Sequence, residues 1–155
     1  MNIKIYKATQ KDIDKLIQLR FAFLQEEYTQ ITEEEYTRLK HTLRSYFEGH
    51  LVQNTFIAIL LEENGKTVST CFLSMNEKPA SPSFPNGKTG TLLNVFTYPA
   101  FRRKGYAGKT VQRIIEEAKE MKIDVIDLLA TEAGFPLYLT LGFTTTEHSF
   151  MRLVL

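Results

Sequence analysis

The sequence has 155 residues, 43% of them hydrophobic and 24% charged, which is enough to bury one core but short for two. One compact domain spanning residues 1–155 is expected, and neither disorder nor a membrane class is suggested. The formal net charge of +1 supplies no overall field for nucleic acid, so any anion site must come from local clustering.

The single cysteine, Cys71, cannot form an internal disulfide. The start MNIKIYKATQKD lacks the apolar stretch of a signal peptide, and no window approaches the roughly 18 uninterrupted apolar residues of a spanning helix. These features read as cytoplasmic, with no membrane partner.

In chain order, Ile3 and Ile5 begin a strand that ends at Thr9, which with Asp12 has the spacing of a helix cap. Leu16, Ile17, Phe21 and Leu24 then follow helical spacing. Thr32 and Glu35 form a second capping box, Leu39, Leu43 and Phe47 lie along one helix face, and Gly49 is expected to stop that helix. TFIAILLE and TVSTCFLSM read as antiparallel strands joined at Asn64-Gly65, a strong hairpin signal. NEKPASPSFPNGKTG is a loop leading into the strand TLLNVFTY.

Val111, Ile114, Ile115, Ala118 and Met121 share one helical face, and DVIDLLAT reads as a buried strand. That order implies a right-handed crossover between parallel strands. A short helix through Tyr138, stopped at Gly142, and a final strand SFMRLVL complete the chain. The expected fold is α/β (α+β), a mixed sheet of six or seven strands with about four helices on its faces.

The stretch YPAFRRKGYAGKT, residues 98–110, sits between the fourth strand and the following helix. Pro99 ends the strand, and Gly105 and Gly108 flank a sharp turn into the helix, whose N-terminus exposes unpaired amides and about half a positive charge. Arg102, Arg103, Lys104 and Lys109 add charge at the rim. Glycines can simply turn a chain and cation runs are usually solvated, yet the strand before and the helix after favour an anion site. The stretch is not a Walker A loop, because the required first glycine falls at Arg103, and the dinucleotide Gly-x-Gly-x-x-Gly pattern is absent.

With Arg102, Gly105 and Ala107 in place after Pro99 and the strand LLNVFT, the stretch resembles the acetyl-CoA signature of the GNAT superfamily of N-acetyltransferases. PLYLTLGF, with Tyr138, Gly142 and Phe143, resembles a second segment of that family. Thr131 stands where many members carry Asn, and Gly134 where Ala is common.

The resemblance implies a mostly antiparallel sheet splayed between strands 4 and 5. It implies that the amides of Arg103, Lys104, Gly105, Tyr106, Ala107 and Gly108, with Arg102 and Lys109 beside them, hold the pyrophosphate of acetyl-CoA. The backbone of Val95, Phe96 and Thr97 would pair with the pantetheine arm, and Tyr138 would protonate the departing CoA thiolate. The implied function is acetyl transfer from acetyl-CoA to a primary amine, on a small molecule or a protein, by direct attack in a ternary complex. The alternative is a non-catalytic acyl-CoA-binding or regulatory module with the same fold. Homodimerisation is a further expectation from the resemblance.

Glu26, Glu27, Glu33, Glu34 and Glu35 cluster on the side the resemblance gives to the acceptor, although acids are favoured in a helix's first turn in any case. Phe84, Phe101 and Phe135 fall in or beside loops and are candidates for lining that pocket or for packing beneath a loop. His41, His50 and His148 have no ligand spacing, so no metal site is expected. Cys71 reads as a buried thiol.

Overall fold

The computed structural model describes residues 1–155. The elements are β1 (Ile3–Lys7), α1 (Ile13–Glu27), α2 (Glu33–Gln53), β2 (Phe56–Glu63), β3 (Lys66–Glu77), β4 (Lys88–Thr97), α3 (Tyr106–Glu120), β5 (Val125–Asp127) and α4 (Phe135–Thr140). The strands form one sheet in the order β1-β2-β3-β4-β5. The first four are antiparallel neighbours, and β5 lies parallel to β4.

Local chemistry accounts for most boundaries. Thr9 and Asp12 close a capping box at the 3₁₀ turn that leads into α1, and Thr32 and Glu35 close another at α2. Asn64 and Gly65 adopt positive φ angles of 51° and 81°, the backbone that a two-residue hairpin turn needs to match strand twist. Gly142, at φ 97°, follows the last turn of α4.

Gly49 does not stop α2. The helix continues through Gln53 and ends on Asn54 in the left-handed conformation, whose N–H reaches the carbonyls of His50 and Leu51. Continuing the turn keeps Leu51 against the cluster that contains Phe47, which outweighs the roughly 1 kcal/mol that glycine costs within a helix.

The sheet is buried on both faces because β2 carries apolar residues at every position from Phe56 to Leu61. Phe56, Ala58 and Leu60 meet α1 and α2, with Phe47 and Phe72 beside them. Ile57 and Ile59 meet Val111, Ile114 and Ala118 of α3 on the opposite face. Each fully buried side chain of this size contributes about 1.5–3 kcal/mol relative to exposure.

Two features of β4 position the site. Asn94 and Val95 both lie opposite Cys71 of β3, between the pairs Thr70–Phe96 and Phe72–Leu93. Asn94 takes a left-handed φ of 54° in this bulge, and such an insertion bends its strand. Pairing of β4 with β5 is confined to Thr89–Thr91 against Val125–Asp127. Beyond that point the two parallel strands part, and the outer edge of β4 lies open.

The sheet has five strands rather than six or seven, because SFMRLVL forms no strand. No backbone hydrogen bond involves residues 144–155, and Phe150, Met151, Leu153 and Val154 are 65–88% exposed. The alternation of this run supplies two apolar faces, but a strand also needs a neighbouring edge, and this chain engages none for it.

Candidate acyl-transfer cleft

The splay between β4 and β5 opens into a cleft of about 620 Å³, lined by Val95, Phe96 and Thr97 of β4, the turn before α3, Phe23, Glu26 and Glu27 of α1, and Leu137 and Tyr138 of α4. The cleft thus joins residues more than a hundred positions apart.

At one end, the turn into α3 combines two left-handed residues, Arg103 at φ 64° and Gly105 at φ 79°. The amides of residues 103–108 donate to no backbone carbonyl or side chain. Successive free amides in such a turn form a concave anion-binding surface, reinforced by the helix dipole of α3. A Cβ on Gly105 would meet nothing within 4 Å, so the surface there is open to an approaching phosphate. These residues therefore fit a pyrophosphate.

Ten of the twelve residues expected at the site line the cleft: Val95, Phe96, Thr97, Arg102, Arg103, Gly105, Tyr106, Ala107, Gly108 and Tyr138. Lys104 and Lys109 do not. Lys104 turns to Glu63 at 3.0 Å, and Lys109 lines a neighbouring depression with Gly105 and Gly108.

The basic run is also less free than its sequence suggests. The Arg102 guanidinium donates to both carboxylate oxygens of Glu26, at 2.8 and 2.6 Å, and through Nε to the Thr97 carbonyl at 2.8 Å. It therefore clamps the end of β4 to α1. Tyr106 lines the cleft but is 4% exposed, and its hydroxyl donates to Glu63, which fastens the start of α3 to β2. The hydrogen bond from Tyr106 and the ammonium of Lys104 hold the Glu63 carboxyl below its usual range.

At the other end lies Tyr138, half-buried and edge-to-face with Phe143 at 5.8 Å between ring centroids. Burial pushes its phenol above its ordinary pKa, so it keeps its proton at neutral pH. The substitution-like position Gly134 gains a reason here, since a Cβ on it would lie 3.1 Å from Cε2 of Tyr138. Thr131 accepts the Gly134 N–H at 3.1 Å and so shapes the entry to α4.

Of the loop aromatics, Phe101 reaches the cleft and Phe84 does not; Phe135 lines a separate groove beside β5. Glu26 and Glu27 line the cleft, whereas Glu33, Glu34 and Glu35 occupy the exposed first turn of α2. Cys71 is buried beneath α3, where burial pushes its thiol up to about 12. No group of three or more His, Cys, Asp or Glu side chains is placed to hold a metal ion. No helix is long and apolar enough to cross a membrane.

Sequence reasoning missed Phe23, Leu137 and Asn94. Phe23 is only partly buried, packed against the core-facing residues of α1, and an aromatic at the margin of that face was the available signal. Asn94 sits within an apolar strand, where a buried amide marks irregular backbone.

Residues 17–143 match the acetyltransferase (GNAT) family. No protein of curated function matches the chain. Among solved structures, a predicted acetyltransferase from Clostridium acetobutylicum, determined with acetyl-CoA, is 28% identical with a TM-score of 0.86, over 98% of this chain and 96% of that one. A GCN5-related N-acetyltransferase from Ralstonia eutropha shares the fold at 24% identity and a TM-score of 0.81, over 98% and 99% of the two chains. Glucosamine-6-phosphate N-acetyltransferase from Arabidopsis thaliana shares it at 22% and 0.68, over 99% of each. The family uses acetyl-CoA. A splayed sheet whose open strand runs on into a turn of free amides is thus accompanied by a family match over most of the chain, which belongs to the GNAT acetyltransferases and is an acyltransferase.

Proposed function

We propose that this chain, as a single domain, moves the acetyl group of acetyl-CoA to a primary amine by direct attack in a ternary complex. The observation that carries this reading is the continuity of the cleft, from the free amides of residues 103–108, along the open edge of β4 at Val95–Thr97, to the phenol of Tyr138.

Acetyl-CoA supplies an acyl carbon activated by its thioester. The amides of residues 103–108 bind the pyrophosphate, assisted by Arg103 and the dipole of α3. The edge of β4 takes the pantetheine arm as an added strand. That alignment carries most of the rate acceleration, because it places amine and acyl carbon in contact.

An amine with an ordinary pKa near about 10.4 releases a proton to solvent before attack. Its nitrogen forms the new C–N bond as the C–S bond breaks, and then loses one further proton to solvent to leave the neutral amide. The Tyr138 hydroxyl, which makes no hydrogen bond to another side chain, donates its proton to the departing sulfur and is reprotonated from solvent.

The test is Tyr138→Phe, assayed for CoA release and for acetyl-CoA binding. Turnover should fall about 10²-fold or more, with acetyl-CoA affinity within a few-fold of wild type. The wild-type alkaline limb, set where Tyr138 loses its proton, should vanish in the variant. Full turnover across the pH range would remove the general-acid role.

A further inference from the structure

Direct attack in a ternary complex needs two routes to one acyl carbon, and the cleft supplies only the first. On the transferase reading the cofactor takes the cleft lengthwise, from the amides of residues 103–108 along β4 to Tyr138, so the body of the acceptor must lie beyond Tyr138. Resting on that reading, we propose that the acceptor is an amine with an uncharged apolar body. This body lies in the groove beside β5 and α4, and the nitrogen reaches the thioester past Tyr138.

The groove has a volume of about 290 Å³. Tyr138 lines it as well as the cleft, and none of the other large grooves of the molecule reaches that residue. The two spaces also abut along the chain: Thr131 and Gly134 line the cleft, while their neighbours Ala130 and Phe135 line the groove. Tyr138 is thus a wall that both spaces share. The acyl carbon is bonded to the sulfur that Tyr138 protonates, so it sits at the junction of cleft and groove.

The chemistry of the lining sets the class of acceptor. Ile126, Leu128, Leu129, Phe135, Leu139 and Phe143 supply most of it, Asp127 is its one charged residue, and it contains no Lys, Arg or His. Leu129, Leu139 and Phe135 are 66%, 50% and 40% exposed. Large apolar side chains gathered in one depression mark a surface that an apolar ligand covers, unlike single ones scattered over a surface. A carboxylate or phosphate on the acceptor would meet no cation in the groove and would face Asp127, a like charge. The acids on the α1 wall offer no competing seat beside Tyr138, since Glu26 is held by Arg102 at the turn into α3. An apolar body seated in the groove holds the amine against the shared wall, so contacts remote from the nitrogen keep it at the thioester.

The experiment measures CoA release with straight-chain primary amines from ethylamine to hexylamine, and with 6-aminohexanoate. The alkylamines share one basicity, so differences among them report the chain. Each methylene removed from water is worth about fourfold. An open groove covers the chain on one side, so hexylamine should exceed ethylamine at least tenfold in kcat/KM. 6-Aminohexanoate, of similar length but with a carboxylate at its far end, should fall at least tenfold below hexylamine.

Leu129→Gln and Leu139→Gln change exposed positions of the groove, and each should cut the hexylamine-to-ethylamine ratio at least threefold while leaving acetyl-CoA affinity within twofold of wild type. N-hexylacetamide, titrated into the CoA-loaded protein, reads the groove without turnover, and wild type should bind it at least threefold more tightly than either variant. A wild-type ratio near one, a ratio that both variants keep, equal use of hexylamine and 6-aminohexanoate, or no binding of N-hexylacetamide overturns this inference alone. Absence of acetyl-CoA binding overturns the transferase reading instead, as does bound acetyl-CoA that no amine discharges while N-hexylacetamide still binds.

Discussion

Replacing Gly105 with valine tests the anion-binding turn most directly. Gly105 has φ 79° and ψ 13°, and a Cβ there would meet no atom within 4 Å, so the substitution causes no clash within the protein. Its cost is conformational, about 1–2 kcal/mol for an L-residue held in the left-handed region and more for a β-branched one. In a chain of this size that lowers Tm by roughly 3–8 °C, leaving the protein folded at 25 °C.

Relaxing the strain means turning φ negative, which swings the peptide planes that aim the amides on either side of Gly105. Each charge-assisted hydrogen bond from an amide to phosphate is worth about 1.5–3 kcal/mol, so losing two should weaken acetyl-CoA binding by about 100-fold or more. Isothermal titration with acetyl-CoA reads the loss. Gly49→Ala serves as the control, since Gly49 lies within α2 with open space around it; it should raise stability by about 1 kcal/mol and leave the affinity alone. An affinity for Gly105→Val within twofold of wild type would refute the assignment of these amides to the pyrophosphate.

Two further outcomes follow from buried or paired groups. Glu63 is held below the usual carboxylate range by Tyr106 and Lys104, so its contribution is complete above the unfolded value and is lost as pH falls through the lower folded one. Glu63→Gln should therefore lower Tm at pH 7, and thermal scans should show that difference shrinking below about pH 4; a gap constant with pH would contradict the pairing. Cys71, fully buried with its thiol pushed up to about 12, should resist alkylation at pH 8 in the native protein and react in denaturant. Native labelling seen by mass spectrometry would show that the strand opens.

Much of the fold was legible because its signals are local. The capping boxes at Thr9 and Thr32, the Asn64-Gly65 turn and the stop at Gly142 each satisfy backbone groups within a few residues. The turn into α3 was legible for the same reason, since Gly105, Gly108 and the helix they open are contiguous in the chain. Gly49 misled because the contact that carries α2 past it, Leu51 against the aromatic cluster, comes from other elements. The fate of SFMRLVL was equally hidden, because alternation can predict a strand's faces but cannot supply the edge it pairs with.

The charges show the division most clearly. In the sequence, Arg102, Arg103 and Lys104 are one basic run. In the fold, Arg102 is spent on Glu26 and Thr97 and Lys104 on Glu63, leaving Arg103 beside the free amides. By itself the sequence determined which backbone could cradle an anion and which tyrosine could lie near it, since glycine placement and helix starts act over a few residues. Only the tertiary structure decided that β4 bulges at Asn94 and parts from β5. A cleft is a relation between strands and helices distant in the chain, and their spacing in space is set by packing on both faces of the sheet.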